Sequence, residues 1–337
     1  MDKAINEKVF RVAVVGCGVI SENHLDALKK LPFVNVIALC DTKPERAESR
    51  KAEFGLNSKI YTDYEEMLKS EELDAVHIAT PHYLHAPMTL AALKMGINVF
   101  LEKPMCISRA EIDALIAAEK ESTASVCVCF QNRFITAVKK AKELVEEDGG
   151  VISAYGSVFW ERTKEYYTES GWRGSYATEG GGVMINQAIH TIDMLCQFLG
   201  TPKTLRATTA NHHLRDIIEV EDTCEGLINF ENGLRASFYA TTAFHGADST
   251  RVYIVTKNHK IEITPPELYV DGEHVKLPEE DGFVGKFCYG NGHAKLIKAF
   301  YEALATGEKM PATLETAQYA VRILLAAYKS NDREVEI

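Results

Sequence analysis

The sequence predicts an α/β protein in which a doubly wound parallel sheet is followed by an α+β domain built on an open, mostly antiparallel sheet. Three observations support this prediction. A glycine-rich turn follows the first apolar run, strand and helix patterns alternate up to about residue 130, and hairpin signals replace that alternation further along the chain. The 337 residues suggest two domains, for which we predict the bounds 1–130 and 131–337.

The first element is a strand that runs directly into a glycine turn. Apolar residues 9–15 precede the segment Gly16-Cys17-Gly18-Val19-Ile20-Ser21. The first glycine permits a tight turn, the second lets the backbone approach a phosphate, and a small residue at Ser21 allows helix and strand to pack closely. Because helix N-terminal N–H groups face an anion, the pattern predicts the pyrophosphate site of a Rossmann dinucleotide-binding domain, with contacts from Gly16, Gly18, Val19 and Ile20.

The second predicted strand, residues 34–40, ends at Asp41, which lies 25 positions after Gly16. A carboxylate at about this spacing meets the adenosine ribose hydroxyls and repels a 2′-phosphate, which favours NAD as the cofactor. Lys43 and Arg46 lie close to Asp41, so NADP is the alternative. Asp41 has a second interpretation, in which its carboxylate only caps the turn into the next helix.

Three further strands are predicted in the first half of the chain, at residues 74–81, 98–104 and 125–130. Helical patterns separate them, including residues 86–95 and a helix that opens with the capping box of Ser108 and Glu111. In such a sheet, ligands bind at the carboxyl ends of the strands. We expect Pro81 and Pro104 to end strands at that edge.

The second half of the chain has a different pattern. Two hairpin signals, at residues 231–233 and 271–273, lie among runs that are rich in β-branched and aromatic residues. Strands are predicted at residues 234–244, 251–257 and 260–264, and two helices, near 292–305 and 312–329, close the chain. These elements predict a mostly antiparallel sheet.

Composition and charge exclude several classes of partner. The net charge of −11 disfavours binding to nucleic acids and anionic membranes, which require clustered positive charge. No apolar run approaches the roughly 18 residues of a membrane span, and the charged residues 1–8 do not resemble a signal peptide. The eight cysteines are scattered, which is typical of reduced thiols and predicts a cytoplasmic protein.

Metal binding is not predicted. His82 and His85 form one candidate pair, and the adjacent His212 and His213 form another. Neither pair has carboxylate or cysteine companions at the spacing that metal sites require.

The segment Glu102-Lys103-Pro104 ends a predicted strand at the edge where a nicotinamide would lie. Partial burial lowers the pKa of a lysine there, so that Lys103 could bind a substrate hydroxyl or relay its proton. The alternative interpretation is a solvated lysine at the start of a loop.

A second group of polar residues follows Gly180-Gly181-Gly182. The apolar helix predicted over residues 183–199 carries Asn186, His190, Asp193 and Gln197 at offsets of 4, 3 and 4, which places them on one stripe. Such a stripe needs partners or a cavity. It predicts general acid/base chemistry by His190, with Asp193 orienting its ring or stabilising the ring's charge. The alternative is the exposed face of an amphipathic helix.

Both tryptophans of the chain lie in a third region, residues 159–174, together with tyrosines and arginines. Aromatic faces stack on sugar C–H groups and guanidinium groups bind sugar oxygens, so this composition suits a polyhydroxylated ligand. It suits a subunit interface equally well. The candidate substrate-binding residues in this region are Trp160, Arg162, Tyr167, Trp172 and Arg173, and Asn186 and Asp193 on the predicted helix are the other candidates.

Taken together, these segments resemble the Gfo/Idh/MocA oxidoreductase family over most of the chain. The similarity is carried by Gly16-Cys17-Gly18 with His24, Ala79-Thr80-Pro81 followed by His85, Glu102-Lys103-Pro104, Gln131-Asn132-Arg133-Phe134, and the triple glycine leading to His190 and Asp193. The resemblance implies a Rossmann domain followed by an open sheet that commonly builds dimers or tetramers. A homodimer or homotetramer is therefore expected.

The resemblance also implies roles for individual residues. Lys103 and His190 would be catalytic, and Asn186 occupies the position where the family usually has an aspartate. An asparagine holds a hydroxyl but carries no proton, so proton transfer would rest on His190 or Lys103. The residues expected around the cofactor by the same resemblance are Thr80, Pro81, His85, Glu102 and Arg133.

The main functional hypothesis is an NAD(P)-dependent dehydrogenase that acts on a sugar, polyol or sugar derivative. Two alternatives stay open at this point. One is an enzyme that uses tightly bound NAD to cleave glycosides without net redox change. The other is a non-catalytic protein that senses dinucleotides, against which the presence of Lys103, His190 and Asp193 argues.

Overall fold

The computed structural model describes residues 8–246, 249–278 and 290–337. The charged start of the chain therefore lies outside the described residues, except for Lys8. The helices are α1 (Ser21–Lys29), α2 (Pro44–Phe54), α3 (Tyr64–Ser70), α4 (His85–Lys94), α5 (Arg109–Glu121), α6 (Thr136–Glu147), α7 (Lys164–Thr168), α8 (Ile189–Leu199), α9 (Gly292–Thr306) and α10 (Leu314–Ser330). None of these described helices is both long enough and apolar enough to cross a membrane.

The first sheet confirms the predicted parallel α/β architecture. Its six strands are all parallel and follow the order β3-β2-β1-β4-β5-β6, which is the Rossmann order. The strands are β1 (Phe10–Val15), β2 (Val34–Cys40), β3 (Lys59–Tyr61), β4 (Ala75–Ile78), β5 (Asn98–Leu101) and β6 (Val126–Val128). Strand β3 was not predicted, because its three residues carry little pattern.

Burial on both faces explains why these strands read as nearly continuous apolar runs. Alternate side chains of β1 enter different cores, with Val12 and Val14 on one face and Ala13 and Val15 on the other. All four are at most 2% exposed. A strand covered on both faces needs apolar residues at every position, and this is the pattern that predicted a parallel sheet.

The second sheet has nine strands in the order β14-β13-β12-β11-β7-β10-β9-β8-β15. Neighbouring strands are antiparallel, except that β7 and β10 run parallel. The strands are β7 (Ser153–Phe159), β8 (Pro202–Ala210), β9 (Thr223–Phe230), β10 (Arg235–Thr241), β11 (Ser249–Val255), β12 (Lys260–Thr264), β13 (Glu267–Val270), β14 (Glu273–His274) and β15 (Val335–Glu336). This confirms the prediction of a mostly antiparallel sheet.

Both hairpin predictions are confirmed. Gly233, at φ 86°, lies in the turn between β9 and β10, and Asp271 and Gly272, at φ 54° and 89°, form the turn between β13 and β14. Two consecutive positive φ values are typical of a type I′ turn, which matches the twist of the flanking strands.

The late helix α9 packs on the first sheet rather than on the second. Leu296, Phe300 and Tyr301 are fully buried and share a core with Phe10 and Val12 of β1. The chain thus returns to the first sheet after building the second. The division at residue 130 stays a prediction about where the chain changes architecture.

Candidate active site

The glycine turn has the geometry that a pyrophosphate site requires. Gly16 has φ 85°, and a Cβ atom there would lie 2.4 Å from the carbonyl oxygen of Ala79. A Cβ atom at Gly18 would meet nothing within 4 Å, so the turn is open on that side. The first turn of α1 follows at once, and its N–H groups have no partner within the helix. Turn and helix therefore fit the phosphates of a dinucleotide.

These two glycines allow a matched test. We expect Gly16→Ala to lower the free energy of unfolding by about 1–3 kcal/mol, because the methyl group meets a backbone carbonyl at an unfavourable φ. Gly18→Ala should change stability by less than about 0.5 kcal/mol and instead weaken NAD binding. Urea unfolding and NAD titration of both variants measure the two effects. Equal stabilities would show that the close approach of Gly16 to Ala79 does not constrain the turn.

Asp41 fastens the glycine turn to the end of β2. Its Oδ2 accepts a hydrogen bond from the Cys17 N–H at 2.8 Å, and its Oδ1 accepts one from the Lys43 N–H at 2.9 Å. Asp41 therefore does cap the turn that leads into α2, as the alternative interpretation predicts. Contact with a ribose stays a prediction, and it would use the remaining acceptor capacity of the same carboxylate.

The loops after β4 and β5 form the carboxyl edge at which a nicotinamide is expected. Thr80 and Pro81 follow β4, and Lys103 follows β5. The His85 ring ties the two loops together, since its Nδ1 lies 2.6 Å from the Pro104 carbonyl oxygen and its Nε2 lies 2.8 Å from that of Thr80. His85 is thus placed as a fixed part of this edge.

Lys103 is half-buried, as predicted for a lysine at this edge. Its Nζ donates to the backbone oxygen of Asn186 at 3.1 Å and lies 3.4 Å from Asn186 Oδ1. Burial lowers the pKa of Lys103, while the carboxylates of Glu102 and Glu179 oppose that shift. The contact with Asn186 joins the edge of the first sheet to the helix that follows the triple glycine.

That helix begins with a π turn, Met184–Ala188, and continues as α8. Single π turns are frequent at functional sites because they shift the phase of a helix. The polar stripe predicted on it has partners from other elements at every position: Asn186 with Lys103, His190 with Gln131, Asp193 with Arg133 and Gln197 with Lys142. His190 and Asp193 are buried, which contradicts the alternative of an exposed face.

His190 is poised as a neutral base. Gln131 Nε2 lies 3.4 Å from His190 Nε2, and His190 Nδ1 is buried without a hydrogen-bond partner among the described residues. Burial, aided by the charge of Lys103, places the pKa of His190 well below its usual value. Because the Gln131 amide NH₂ group can only donate, His190 Nε2 is the acceptor and the ring proton lies on the buried Nδ1, so a proton from a ligand would be accepted at Nε2.

Asp193 requires a correction. Both of its carboxylate oxygens bind the guanidinium group of Arg133, at 2.8 and 2.5 Å, and it makes no hydrogen bond to His190 among the described residues. The expectation that Asp193 orients the His190 ring through a hydrogen bond is therefore wrong, and stabilisation of the charged ring by Asp193 stays a prediction. Arg133 also donates to Thr316 at 2.9 Å. The two residues form a buried ion pair, and the contact of Arg133 with the cofactor stays a prediction.

The aromatic and arginine residues of the third region form a continuous stack. The Arg162 guanidinium lies 4.4 Å from the Trp160 ring and 4.8 Å from the Tyr166 ring. The Arg173 guanidinium lies 4.5 Å from the same Tyr166 ring and 4.6 Å from the Trp172 ring. Four of the five substrate residues predicted in this region, Trp160, Arg162, Trp172 and Arg173, are thus brought together around Tyr166.

Tyr167 is the exception. It is 4% exposed and belongs to a small separate core with Leu214, Ile218 and Val220. Its ring meets the Tyr166 ring edge-on at 5.0 Å, so Tyr167 supports the stack through Tyr166 while its own side chain is buried. Contact of Tyr167 with a substrate stays a prediction.

Sequence reasoning missed Glu179, which stands directly before the triple glycine. Its Oε1 accepts a hydrogen bond from Asn186 Nδ2 at 2.7 Å, and its Oε2 accepts one from the Gly174 N–H at 2.7 Å. Asn186 Nδ2 also donates to the Tyr166 hydroxyl at 3.0 Å. A charged residue adjoining three glycines was the available signal, but its burial could not be read from the pattern.

The structure shows what the two histidines of the candidate metal pair, His82 and His85, contact. His82 Nδ1 lies 2.8 Å from the Glu179 carbonyl oxygen, and its ring packs against the edge of Trp172 at 4.7 Å. The rings of His82 and His85 are thus engaged with backbone oxygens. In the other pair, the backbone N–H groups of His212 and His213 both donate to Asp222.

A buried chain of hydrogen bonds supports the carboxylate next to Lys103. Glu102 Oε1 lies 3.0 Å from His24 Nε2, His24 Nδ1 lies 2.9 Å from His77 Nδ1, and His77 Nε2 lies 2.8 Å from the Tyr301 hydroxyl. Burial alone would raise the pKa of Glu102, but the hydrogen bond from His24 and nearby positive groups lower it. Glu102 is therefore a permanent negative charge beside Lys103.

Two residues of this hydrogen-bond chain, His24 and Glu102, also belong to a cluster of potential metal ligands. Among the described residues, His24, Glu102 and Cys129 offer atoms that lie within 4.8 Å of one another. Both ring nitrogens of His24 are already hydrogen-bonded, to Glu102 and His77. Burial and the neighbouring Glu102 carboxylate raise the pKa of the Cys129 thiol well above its usual value.

Comparisons with known proteins agree with this geometry. The family model GFO_IDH_MocA, described as an oxidoreductase family with an NAD-binding Rossmann fold, matches residues 10–130. The GFO/IDH/MocA C-terminal domain model matches residues 138–262. The first match holds the glycine turn and Lys103, and the second holds Asn186 and His190.

Similar full-length proteins include the levoglucosan dehydrogenase of Pseudarthrobacter phenanthrenivorans, which is 26% identical over 88% of this chain and 90% of its own. The myo-inositol 2-dehydrogenase of Thermotoga maritima is 23% identical over 95% and 96%, respectively. The crystal structure of the WlbA dehydrogenase from Bordetella pertussis, in complex with NADH and UDP-GlcNAcA, has the same fold, with a TM-score of 0.85, 24% identity and coverage of 98% and 99%. With one family model on each of its two sheets, the chain belongs to the Gfo/Idh/MocA family of NAD-binding oxidoreductases.

Proposed function

We propose that this protein is an NAD-dependent dehydrogenase that oxidises a hydroxyl-bearing carbon of a sugar or polyol, or reduces the matching carbonyl group. The observation that carries the proposal is the position of Lys103. Its partly buried ammonium group contacts Asn186 at the carboxyl edge of the dinucleotide-binding sheet. His190, whose neutral ring has its lone pair at Nε2, lies in the turn of helix that follows Asn186.

Each of these residues has a chemical role in the proposal. Bound NAD supplies the hydride acceptor for oxidation. Lys103 stabilises the alkoxide that develops on the substrate oxygen, as a fixed cation does at growing negative charge. His190 accepts the hydroxyl proton at Nε2, the nitrogen that holds the lone pair of its neutral ring. Asn186 positions the substrate hydroxyl with its amide group.

The substrate class is supported by two observations. The relatives named levoglucosan dehydrogenase and myo-inositol 2-dehydrogenase act on polyhydroxylated rings. The stack that contains Trp160, Tyr166 and Trp172 offers aromatic faces beside two guanidinium groups. Aromatic faces accommodate sugar C–H groups, and guanidinium groups donate to sugar oxygens.

The direct test is NADH formation by the purified protein across a panel of sugars, inositols, aminosugars and uronates, with NADP run in parallel. We expect NADH to accumulate with at least one compound and NAD to be preferred over NADP. Retention of bound NAD without turnover of any compound in either direction would contradict the proposal.

Arg173 is expected to act in substrate binding. Its guanidinium is held between Tyr166 and Trp172, and its buried Nε has no hydrogen-bond partner among the described residues. Loss of a charged hydrogen bond costs about 1.5–3 kcal/mol, so Arg173→Gln should raise KM by roughly 10- to 100-fold, with a smaller effect on kcat. Steady-state kinetics on the best substrate measures this. Arg235→Gln, at an exposed position on β10, is the matched control, and an equal KM for both variants would remove Arg173 from the binding site.

We also propose a homodimer or homotetramer in a reducing, cytoplasmic environment. Exposed aromatic side chains on the second sheet, Tyr155 and Tyr239, are 38% and 37% exposed, which supports association through this sheet. The seven cysteines among the described residues are free and buried, which supports a reducing compartment. Multi-angle light scattering tests the stoichiometry.

A further inference from the structure

We propose that Glu179 is a positioning residue of the active site, which supplies through Asn186 the negative charge that position 186 itself lacks. This inference rests on the proposed function, because it assigns a role in the same reaction. The sequence has an amide where the family usually has a carboxylate. The structure places a carboxylate one hydrogen bond behind that amide.

The contacts of Asn186 define how its amide is oriented. Nδ2 donates one hydrogen bond to Glu179 Oε1 at 2.7 Å and another to the Tyr166 hydroxyl at 3.0 Å, so both amide protons are used. Oδ1 then faces Lys103 Nζ at 3.4 Å. A reversed amide would set an oxygen against a carboxylate and an NH₂ group against an ammonium group. Glu179 therefore fixes the orientation in which Asn186 presents an acceptor to Lys103 and to a substrate hydroxyl.

Glu179 is held rigidly for this purpose. It is 1% exposed, and its second oxygen accepts a hydrogen bond from the Gly174 N–H at 2.7 Å. Its own carbonyl oxygen binds His82 Nδ1 at 2.8 Å. The carboxylate thus accepts two hydrogen bonds from fixed donors, which favours its charged form.

The charged and titratable groups around Glu179 come from several elements. Lys103 lies at the end of β5, Arg173 lies in the loop after α7, and Tyr166 and Tyr167 lie on α7 itself. Burial raises the pKa of Glu179 to about 7 in spite of its donors. The carboxylate in turn favours the charged form of Lys103. Protonation of Glu179 would remove that support and weaken its hold on Asn186.

The chain offers a matched control in Glu221, which binds the last residue of the triple glycine, Gly182. It is also buried, and its pKa is also raised to about 7 by burial. Its carboxylate accepts hydrogen bonds from the N–H groups of Gly182 and Met184, both at 3.0 Å, and from the Tyr328 hydroxyl at 3.1 Å. These contacts include neither Asn186 nor Lys103, so Glu221 shares the burial of Glu179 but not its proposed role.

The experiment compares the pH dependence of kcat/KM for wild type, Glu179→Gln and Glu221→Gln. We expect an acidic limb near pH 7 in wild type and in Glu221→Gln, because activity requires ionised Glu179. Glu179→Gln should lose that limb, fall at least about tenfold in kcat, as expected for a lost charged hydrogen bond, and show its alkaline limb at lower pH. A purely structural Glu179 would lower activity without changing the shape of the profile.

A second variant restores the charge at a different place. Asn186→Asp in the Glu179→Gln background moves the carboxylate next to Lys103, and we expect it to recover at least part of kcat. No recovery, or an unchanged pH profile in Glu179→Gln, would overturn the proposal.

A readout without turnover separates this inference from the proposed function. The pH dependence of Lys103 labelling by an amine-selective reagent, followed by mass spectrometry on protein without substrate, reports the Lys103 pKa directly. It should shift to lower pH in Glu179→Gln and stay unchanged in Glu221→Gln. Should no sugar be oxidised, the proposed function fails, while this shift still decides whether Glu179 sets the charge of Lys103.

Discussion

Replacement of Lys103 with methionine is expected to lower kcat by about 10²–10⁴-fold and to leave NAD affinity nearly unchanged. Methionine keeps most of the volume of the side chain but removes the ammonium group, which is the one cation in contact with Asn186 among the described residues. A fixed charge or proton donor at a reacting oxygen contributes about this much to rate. Stopped-flow or steady-state kinetics gives kcat, and fluorescence titration with NADH gives the cofactor affinity.

Lys103→Arg separates the charge of this residue from its proton. An arginine retains the cation but does not release a proton in proteins. Activity between that of wild type and Lys103→Met would assign charge stabilisation to Lys103 and proton transfer to His190. A Lys103→Met enzyme with wild-type kcat would remove Lys103 from the reaction.

The cofactor side of this molecule was predictable from sequence because its signals are local. The turn at Gly16 requires a positive φ, and the strand before it is apolar at every position except the exposed Arg11, because both of its faces are buried. The acidic residue at the end of β2 and the lysine at the end of β5 followed from the topology of a parallel sheet. Each of these inferences needed only a few consecutive residues.

The substrate side was less predictable because its contacts join distant segments. Asp193 and Arg133 are 60 positions apart, and the three-residue spacing to His190 wrongly suggested a pair on one helix face. The π turn before α8 further changes which side chains share a face. Tyr166 and Tyr167 are adjacent in sequence, but only the packing of α7 decides that the arginines lie over the Tyr166 ring while Tyr167 is buried behind it.

The buried pair of Asp193 and Arg133 yields the largest expected effect on stability. Asp193→Asn or Arg133→Met should lower the free energy of unfolding by about 3–5 kcal/mol, because either change leaves an uncompensated charge in the core. The two side chains are 1% and 6% exposed and share two hydrogen bonds. Urea unfolding measures the loss, and the exposed pair of Arg206 and Asp332 is the control, at which Asp332→Asn should have little effect.

The double variant Arg133→Met with Asp193→Leu decides between an ionic and a catalytic role for Asp193. Removing both charges together should recover most of the stability that either single change loses, since a buried ion pair is close to neutral against apolar residues of similar volume. The recovered protein should also keep much of its turnover, because neither residue contacts His190 or Lys103 through a hydrogen bond in the described structure. A stable double variant that has lost its activity would instead show that the charges of this pair contribute to the reaction and not only to stability.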